Sequence, residues 1–189
     1  APRRLPPVVL TAAELRLDDK ALGRLRVVAM PMAGGVRLPE IDLSSEQQRI
    51  DANGEWRWTP DGQLAQLRAT LWSQALGETL AAFGYRDAGI AGGETKAELT
   101  AEWMGALSDF ALERMEGRLK FQIGSGQLPN IDPGLGRVVG LFSVQNIMRR
   151  LSLDFSDLFQ PGTSFDQITG EFVFKHGQAF TDNLTVEAP

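Results

Sequence analysis

Along most of the chain apolar and polar residues alternate with period two. That is the pattern of a strand with one face toward a core or a ligand and the other toward water. Leu15 and Leu17 oppose Glu14 and Arg16; Leu25, Val27 and Ala29 oppose Arg24 and Arg26; Ile41 and Leu43 oppose Glu40 and Asp42. Trp56 and Trp58 flank Arg57, and Ala65, Leu67, Ala69 and Leu71 oppose Gln66, Arg68 and Thr70. Leu99, Ala101 and Trp103 oppose Glu98, Thr100 and Glu102, and Leu119, Phe121 and Ile123 oppose Arg118, Lys120 and Gln122. Phe172 and Phe174 follow, then Leu184 and Val186 opposite Thr185 and Glu187. Turn residues fall between the runs: Asp18-Asp19, Gly34-Gly35, Asn53-Gly54, Pro60-Asp61-Gly62, Gly92-Gly93, Gly124-Ser125-Gly126 and His176-Gly177. Many strands joined by short turns predict a mainly β fold, β-rich α+β in class, built on a curved antiparallel sheet or an open groove or sandwich. One apolar face per strand must be covered by a second sheet, a helix or a ligand.

Two segments break the alternation. Trp72–Phe83 carries Leu76, Leu80 and Phe83 at helical spacing, and Gly84 suits its C-terminal end. Leu135–Leu151 is the stronger helix, with Leu135, Val138, Val139 and Phe142 at i, i+3, i+4 and i+7 and Leu141, Val144, Met148 and Leu151 following. Asp132-Pro133 suits its start and Arg149-Arg150 the negative end of its dipole. Apolar around much of its girth, this main helix is expected to pack on the sheet. Phe155–Phe159 suggests a further helical turn. A loose repeat, Gly54-Glu55-Trp56-Arg57-Trp58 and Gly117-Arg118-Leu119-Lys120-Phe121, fits a sheet that grows by similar hairpins.

Composition narrows the function more than the fold. The 189 residues are read as a single segment, 1–189, with a net charge of −5 and a pI near 5.0, which gives no general attraction to nucleic acid. The chain has no cysteine and one histidine, which excludes disulfides, thiolate metal sites and most His-based centres. No apolar run is long enough to span a bilayer. The strand-like Leu184–Pro189 stops without a cap or polar tail, and the expectation is a segment excised from a longer protein.

Candidate chemistry is thin. Asp154, Asp157, Asp166 and Asp182 match no calcium loop, and solvation, capping or pairing with Arg149 or Arg150 is the plainer account. His176 reads as an exposed turn residue. The glycine pairs lack the Lys-Ser or Lys-Thr of a phosphate loop, and no serine sits in a nucleophile elbow. Trp56 and Trp58 form a sugar-stacking platform only if both indoles are exposed and coplanar; packing is the plainer account. No cofactor or metal is called for, and the expectation is a protein that is not an enzyme.

The ordered string Gly136–Ser143, Arg149-Arg-Leu-Ser-Leu-Asp-Phe-Ser-Asp-Leu-Phe159, Ser164-Phe-Asp-Gln-Ile-Thr-Gly-Glu-Phe172 and Gly177-Gln-Ala-Phe-Thr-Asp-Asn-Leu184 resembles the C-terminal region of the YhdP family of AsmA-like envelope proteins. Gly54-Glu55-Trp56, Leu80–Tyr85 and Leu99–Trp103 are similar as well. The resemblance implies a periplasmic β-groove, in full-length members tethered to the inner membrane, that takes part in moving phospholipid between the two membranes. It carries over no catalytic residue. The partners it implies are phospholipid acyl chains and, as an alternative role, an envelope protein engaged by a structural cap or docking module. An acyl chain needs a continuous dry surface, worth roughly 0.8 kcal/mol per buried CH₂. On the alternating runs the lipid-binding candidates are Trp103, Leu119, Phe121, Ile123, Phe172 and Phe174. For each of these residues an ordinary core packed by the Leu135–Leu151 helix is the plainer account.

Overall fold

The computed structural model describes residues 6–85, 89–111, 114–128, 162 and 164–189. The chain opens with five strands in succession, β1 (Val8–Leu17), β2 (Lys20–Met32), β3 (Gly35–Ser44), β4 (Gln48–Thr59) and β5 (Gly62–Ser73). Helix α1 (Leu76–Ala82) and the short β6 (Ala91–Gly92) come next. Then follow β7 (Thr95–Met104), a 3-10 turn (Leu107–Asp109), β8 (Glu116–Ile123), β9 (Gly126–Gln127), β10 (Ser164–Phe165), β11 (Gln167–Lys175), β12 (Gln178–Phe180) and β13 (Thr185–Glu187). Every alternating run of the sequence lies in one of these strands or, for Leu184, directly before one. The predicted helix Leu135–Leu151 and the turn Phe155–Phe159 lie outside the described residues.

The main sheet is antiparallel throughout, in the order β1-β2-β3-β4-β5-β7-β8-β11-β12, with β13 sharing the outer edge of β11. It is curved and open, not closed into a barrel. A small antiparallel sheet, β10-β9-β6, stands beside it. Nearest-neighbour pairing of successive strands is what short connections allow.

Two sequence expectations change. Asn53-Gly54 does not turn the chain but lies inside β4, paired with Arg68 and Leu67. The turn comes six residues later at Pro60-Asp61. A Cβ on Gly54 would sit 2.4 Å from the Gln66 carbonyl oxygen, so this glycine serves close backbone approach. The first helix begins at Leu76, not Trp72. Trp72 and Ser73 extend β5 because Lys96 and Thr95 on one side and Arg49 and Gln48 on the other complete their ladder. Gly84 does take the left-handed conformation at its end, with φ 95°.

The loose repeat has a structural meaning and a third copy. Gly54, Gly117 and Gly170 all face the apolar side, and inward aromatic or leucine residues follow at two and four positions on: Trp56 and Trp58, Leu119 and Phe121, Phe172 and Phe174. Across the β8–β11 pair each glycine lies opposite a phenylalanine, Gly117 to Phe174 and Gly170 to Phe121. At Gly170 the Phe121 ring covers the site where no side chain stands, its Cζ 3.3 Å from where a Cβ would be. β3 carries a bulge at Leu38–Ile41, where three residues span two on both neighbours, and Pro39, lacking an N–H, occupies it.

Asn183 explains part of the Thr-Asp-Asn-Leu string. Between the stretches of β11 that pair with β12 and β13, the Glu171 N–H donates to Asn183 Oδ1 at 2.9 Å, and Leu184 packs over Gly170. Replacing Asn183 with alanine is expected to cost about 0.5–1 kcal/mol in urea unfolding, because an exposed strand donor exchanges its partner for water. Asn183→Asp keeps an acceptor and should recover most of that loss.

Candidate functional site

The two faces of the sheet are chemically separate. One residue from each of eight strands forms a single row across the apolar face: Leu10, Val27, Ile41, Ala52, Ala69, Leu99, Leu119 and Phe172. A parallel row runs Ala12, Leu25, Leu43, Ile50, Leu71, Ala97, Phe121 and Gly170. On the other side run Leu38, Gly54, Leu67, Ala101, Gly117, Phe174 and Ala179, then Pro31, Val36, Trp56, Ala65 and Trp103. No charged or hydroxyl side chain enters these four rows. Strand and residue spacings make the stripe about 34 Å long and about 20 Å wide.

The stripe is unevenly covered. Over β7, β8 and β11, Ala101, Trp103, Met115, Phe172 and Phe174 form one buried cluster with Ala65, and Ile123, Phe165 and Ile168 form a second. Phe121 and Phe172 stack at 5.5 Å, and Trp103 meets Phe110 edge-on at 5.2 Å while its Nε1 donates to the Ala106 carbonyl at 2.8 Å. Over β1–β4 Leu38 and Leu43 are buried, but the other row members are more open. Leu10 is 55% exposed, and Val27, Ile41, Ile50 and Ala52 are half-buried.

The six residues singled out from the sequence therefore share one face. Four of them, Trp103, Ile123, Phe172 and Phe174, are buried within the clusters; Leu119 and Phe121 are half-buried against them. Sequence reasoning passed over Leu10, Ile41 and Ala52, which complete the central row. Their alternation was visible for Ile41, but a row across strands depends on register, and no single strand carries that. Trp56 and Trp58 lie 5.0 Å apart at 34°, with Trp58 52% exposed and Trp56 half-buried and bonded through Nε1 to Gln63 Oε1 at 3.3 Å. They are neither coplanar nor both exposed, so the sugar platform is not built.

The opposite face is a lattice of exposed ion pairs: Arg26–Glu40, Arg37–Glu55, Arg57–Glu55, Arg49–Asp42, Lys96–Glu98 and Arg118–Glu171. Its depressions, such as the one lined by Arg37, Asn53, Glu55, Arg68, Glu102 and Lys175, carry both signs of charge. Among the described residues no three acidic or histidine side chains gather as for a metal. His176 has φ 51° in the β11–β12 turn, as a tight hairpin requires, and its Nε2 lies 3.8 Å from Glu116 Oε1.

Hydrogen bonds from Arg57, and secondarily from Arg37, hold the Glu55 carboxyl below the usual carboxylate range, and Lys96 does the same for Glu98. Such groups bind fewer protons folded than unfolded. Their contribution is fully present above about pH 4.3 and is lost as pH falls through the lower folded value. The melting temperature is thus expected to stay flat from neutral pH to about pH 5 and to decline below about pH 4. The double variant Glu55→Gln/Glu98→Gln should show a shallower acid decline. Both pairs are exposed, so the change is small.

The family model described as "YhdP protein" matches residues 1–189. The protein named "Intermembrane phospholipid transporter YhdP" of Escherichia coli strain K12 is 29% identical over 140 residues, 74% of this chain and 11% of that protein. The chain thus spans a small fraction of the relative's length. No solved structure matches. No helix among the described residues is long and apolar enough to cross a membrane. A match that runs the whole length of the chain, through the glycine repeat and the Thr-Asp-Asn-Leu string alike, makes this chain a member of the YhdP family.

Proposed function

We propose that this chain is a stretch of the path along which a periplasmic YhdP-family protein carries phospholipid between membranes, with acyl chains lying on the four apolar rows. The observation that carries the reading is the central row, eight apolar residues on eight strands with no polar interruption. Burial of a chain on such a surface gains roughly 0.8 kcal/mol per CH₂, while head groups remain in water. Transport is then passive: tails slide from row to row, no bond is made or broken, and no cofactor takes part. Trp103, Leu119, Phe121, Ile123, Phe172 and Phe174 supply the C-terminal half of the stripe. Leu10, Val27, Ile41 and Ala52 supply the half whose exposure leaves room for a ligand.

The burial of Trp103, Ile123, Phe172 and Phe174 favours a second role for the C-terminal half, that of a structural cap or docking module for an envelope partner. The two roles are compatible along one sheet. Native mass spectrometry and solvent extraction of the chain purified from bacteria test the first. Co-purified phospholipid is expected; a lipid-free chain that also takes up none from vesicles would leave only the cap.

A further inference from the structure

On one side the apolar stripe ends in a polar row, Gln48, Ser73 and Thr95, cross-strand partners on β4, β5 and β7. All three side chains are buried. Helix α1 meets this row at its middle member: Thr79 Oγ1 is 2.8 Å from Ser73 Oγ, and the helix reaches β6 and β2, the strand whose Leu22 carbonyl accepts from Gln48 Nε2. On the side of β8 and β11, Leu76 joins the cluster of Ile123 and Ile168. α1 is therefore a wall along this border of the stripe.

The wall is held weakly. Its one buried side chain is Thr79, a polar residue, and its N-cap Ala75 makes no side-chain cap. Ser73 Oγ accepts from the Ala75 N–H at 3.2 Å, and the Leu76 N–H donates to the Gly93 carbonyl at 3.0 Å. Seven residues fall short of the length at which a helix persists alone, so α1 depends on these contacts. Beyond it, Gly84 and Gly89 both take positive φ. A segment fastened by few apolar contacts belongs to the readily opened part of a fold.

The row against α1 carries a second sign of opening. Gln48 Nε2 donates to the Leu22 carbonyl at 3.2 Å, which fixes the orientation of the amide. Its Oε1 is buried, with the residue 6% exposed, and meets no donor among the described residues. Such an acceptor destabilises the closed arrangement, and admitting water or a lipid head-group donor relieves it. We propose that α1 is a latch: it lifts from the Gln48–Ser73–Thr95 row to open the side of the acyl path for lipid to enter or leave, and closes by re-forming the Ser73–Thr79 hydroxyl pair. The proposal rests on the reading of the apolar rows as an acyl path.

The chain has no cysteine, so within one molecule a Ser73→Cys/Thr79→Cys double variant can form only the disulfide that pins α1, and oxidised monomer separated from disulfide-linked dimer is the form to assay. Two measurements are needed. In the unaltered chain, hydrogen exchange of the α1 amides is expected to be at least about 100-fold faster than that of β5 and β7. In the double variant, uptake of a fluorescent phosphatidylethanolamine from vesicles of phosphatidylethanolamine and phosphatidylglycerol should be at least about tenfold slower when oxidised, and restored by a reductant. The unaltered chain should ignore the reductant. Equal uptake in the oxidised and reduced forms overturns the latch, and so do α1 amides protected as well as the strands. If the unaltered chain and the reduced variant both take up no lipid, the acyl path itself fails, and the exchange data alone then decide whether α1 lifts.

Discussion

Replacing Gly117 with valine is expected to destabilise the chain by about 3 kcal/mol or more, enough to threaten folding at 37 °C. Gly117 lies in β8 between Ala101 of β7 and Phe174 of β11. A Cβ built there would stand 2.1 Å from the Thr100 carbonyl oxygen and 2.9 Å from the Ala101 Cα. Those neighbours are backbone, so no rotamer change relieves the clash; β7 and β8 must part. The damage falls beside the cluster of Ala101, Trp103, Met115, Phe172 and Phe174, which needs that pairing to stay dry. Arg118→Val, one residue further and on the charged face, is the matched control. It gives up only an exposed pair with Glu171 and should change stability by less than about 0.5 kcal/mol. Urea midpoints with unchanged m-values for both variants check the contrast. A Gly117→Val chain as stable as its parent would mean that β7 and β8 are not packed as closely as described.

That glycine also marks the limit of what the sequence could say. Period-two alternation located the strands because it reports which face each residue takes, and the face is a local property. Register is not. Nothing in β4 alone announces that Ala52 lies between Ile41 and Ala69, so the central row emerges only once eight strands are paired. Asn53-Gly54 misled for a related reason: the pair carries strong turn chemistry, yet the ladder from Gln48 to Thr59 continues through it. At Trp72-Ser73 the neighbouring strands likewise outweighed helical spacing. The two-residue strands β6, β9 and β10 have no pattern to detect, since a period cannot be read from two positions. Among the candidate contacts, the aromatic residues of β8 and β11 drew attention because they are large. The smaller aliphatic residues of the more exposed half drew less, although exposure is what a ligand needs.

Ile41→Asp is expected to strip the chain of lipid at least tenfold while leaving the sheet folded. Ile41 stands in the central row between Val27 and Ala52 and is only half-buried. A carboxylate there still reaches water in the lipid-free chain, so folding loses little more than the burial of one aliphatic side chain, about 1–2 kcal/mol. With an acyl chain laid over the row the balance differs. Either the carboxylate is dried beneath hydrocarbon, which costs far more than the methylenes above it gain, or the tail is forced off the row and loses several CH₂ contacts. Both outcomes act on the bound state alone. Ile41→Val, which keeps the row dry, should hold lipid as the parent does. Lipid counted by extraction and native mass spectrometry, beside circular dichroism of each variant, separates the cases. Should the aspartate variant fold and retain its full complement of phospholipid, the β1–β4 half of the stripe is not where the tails lie, and the path would have to run elsewhere on the molecule.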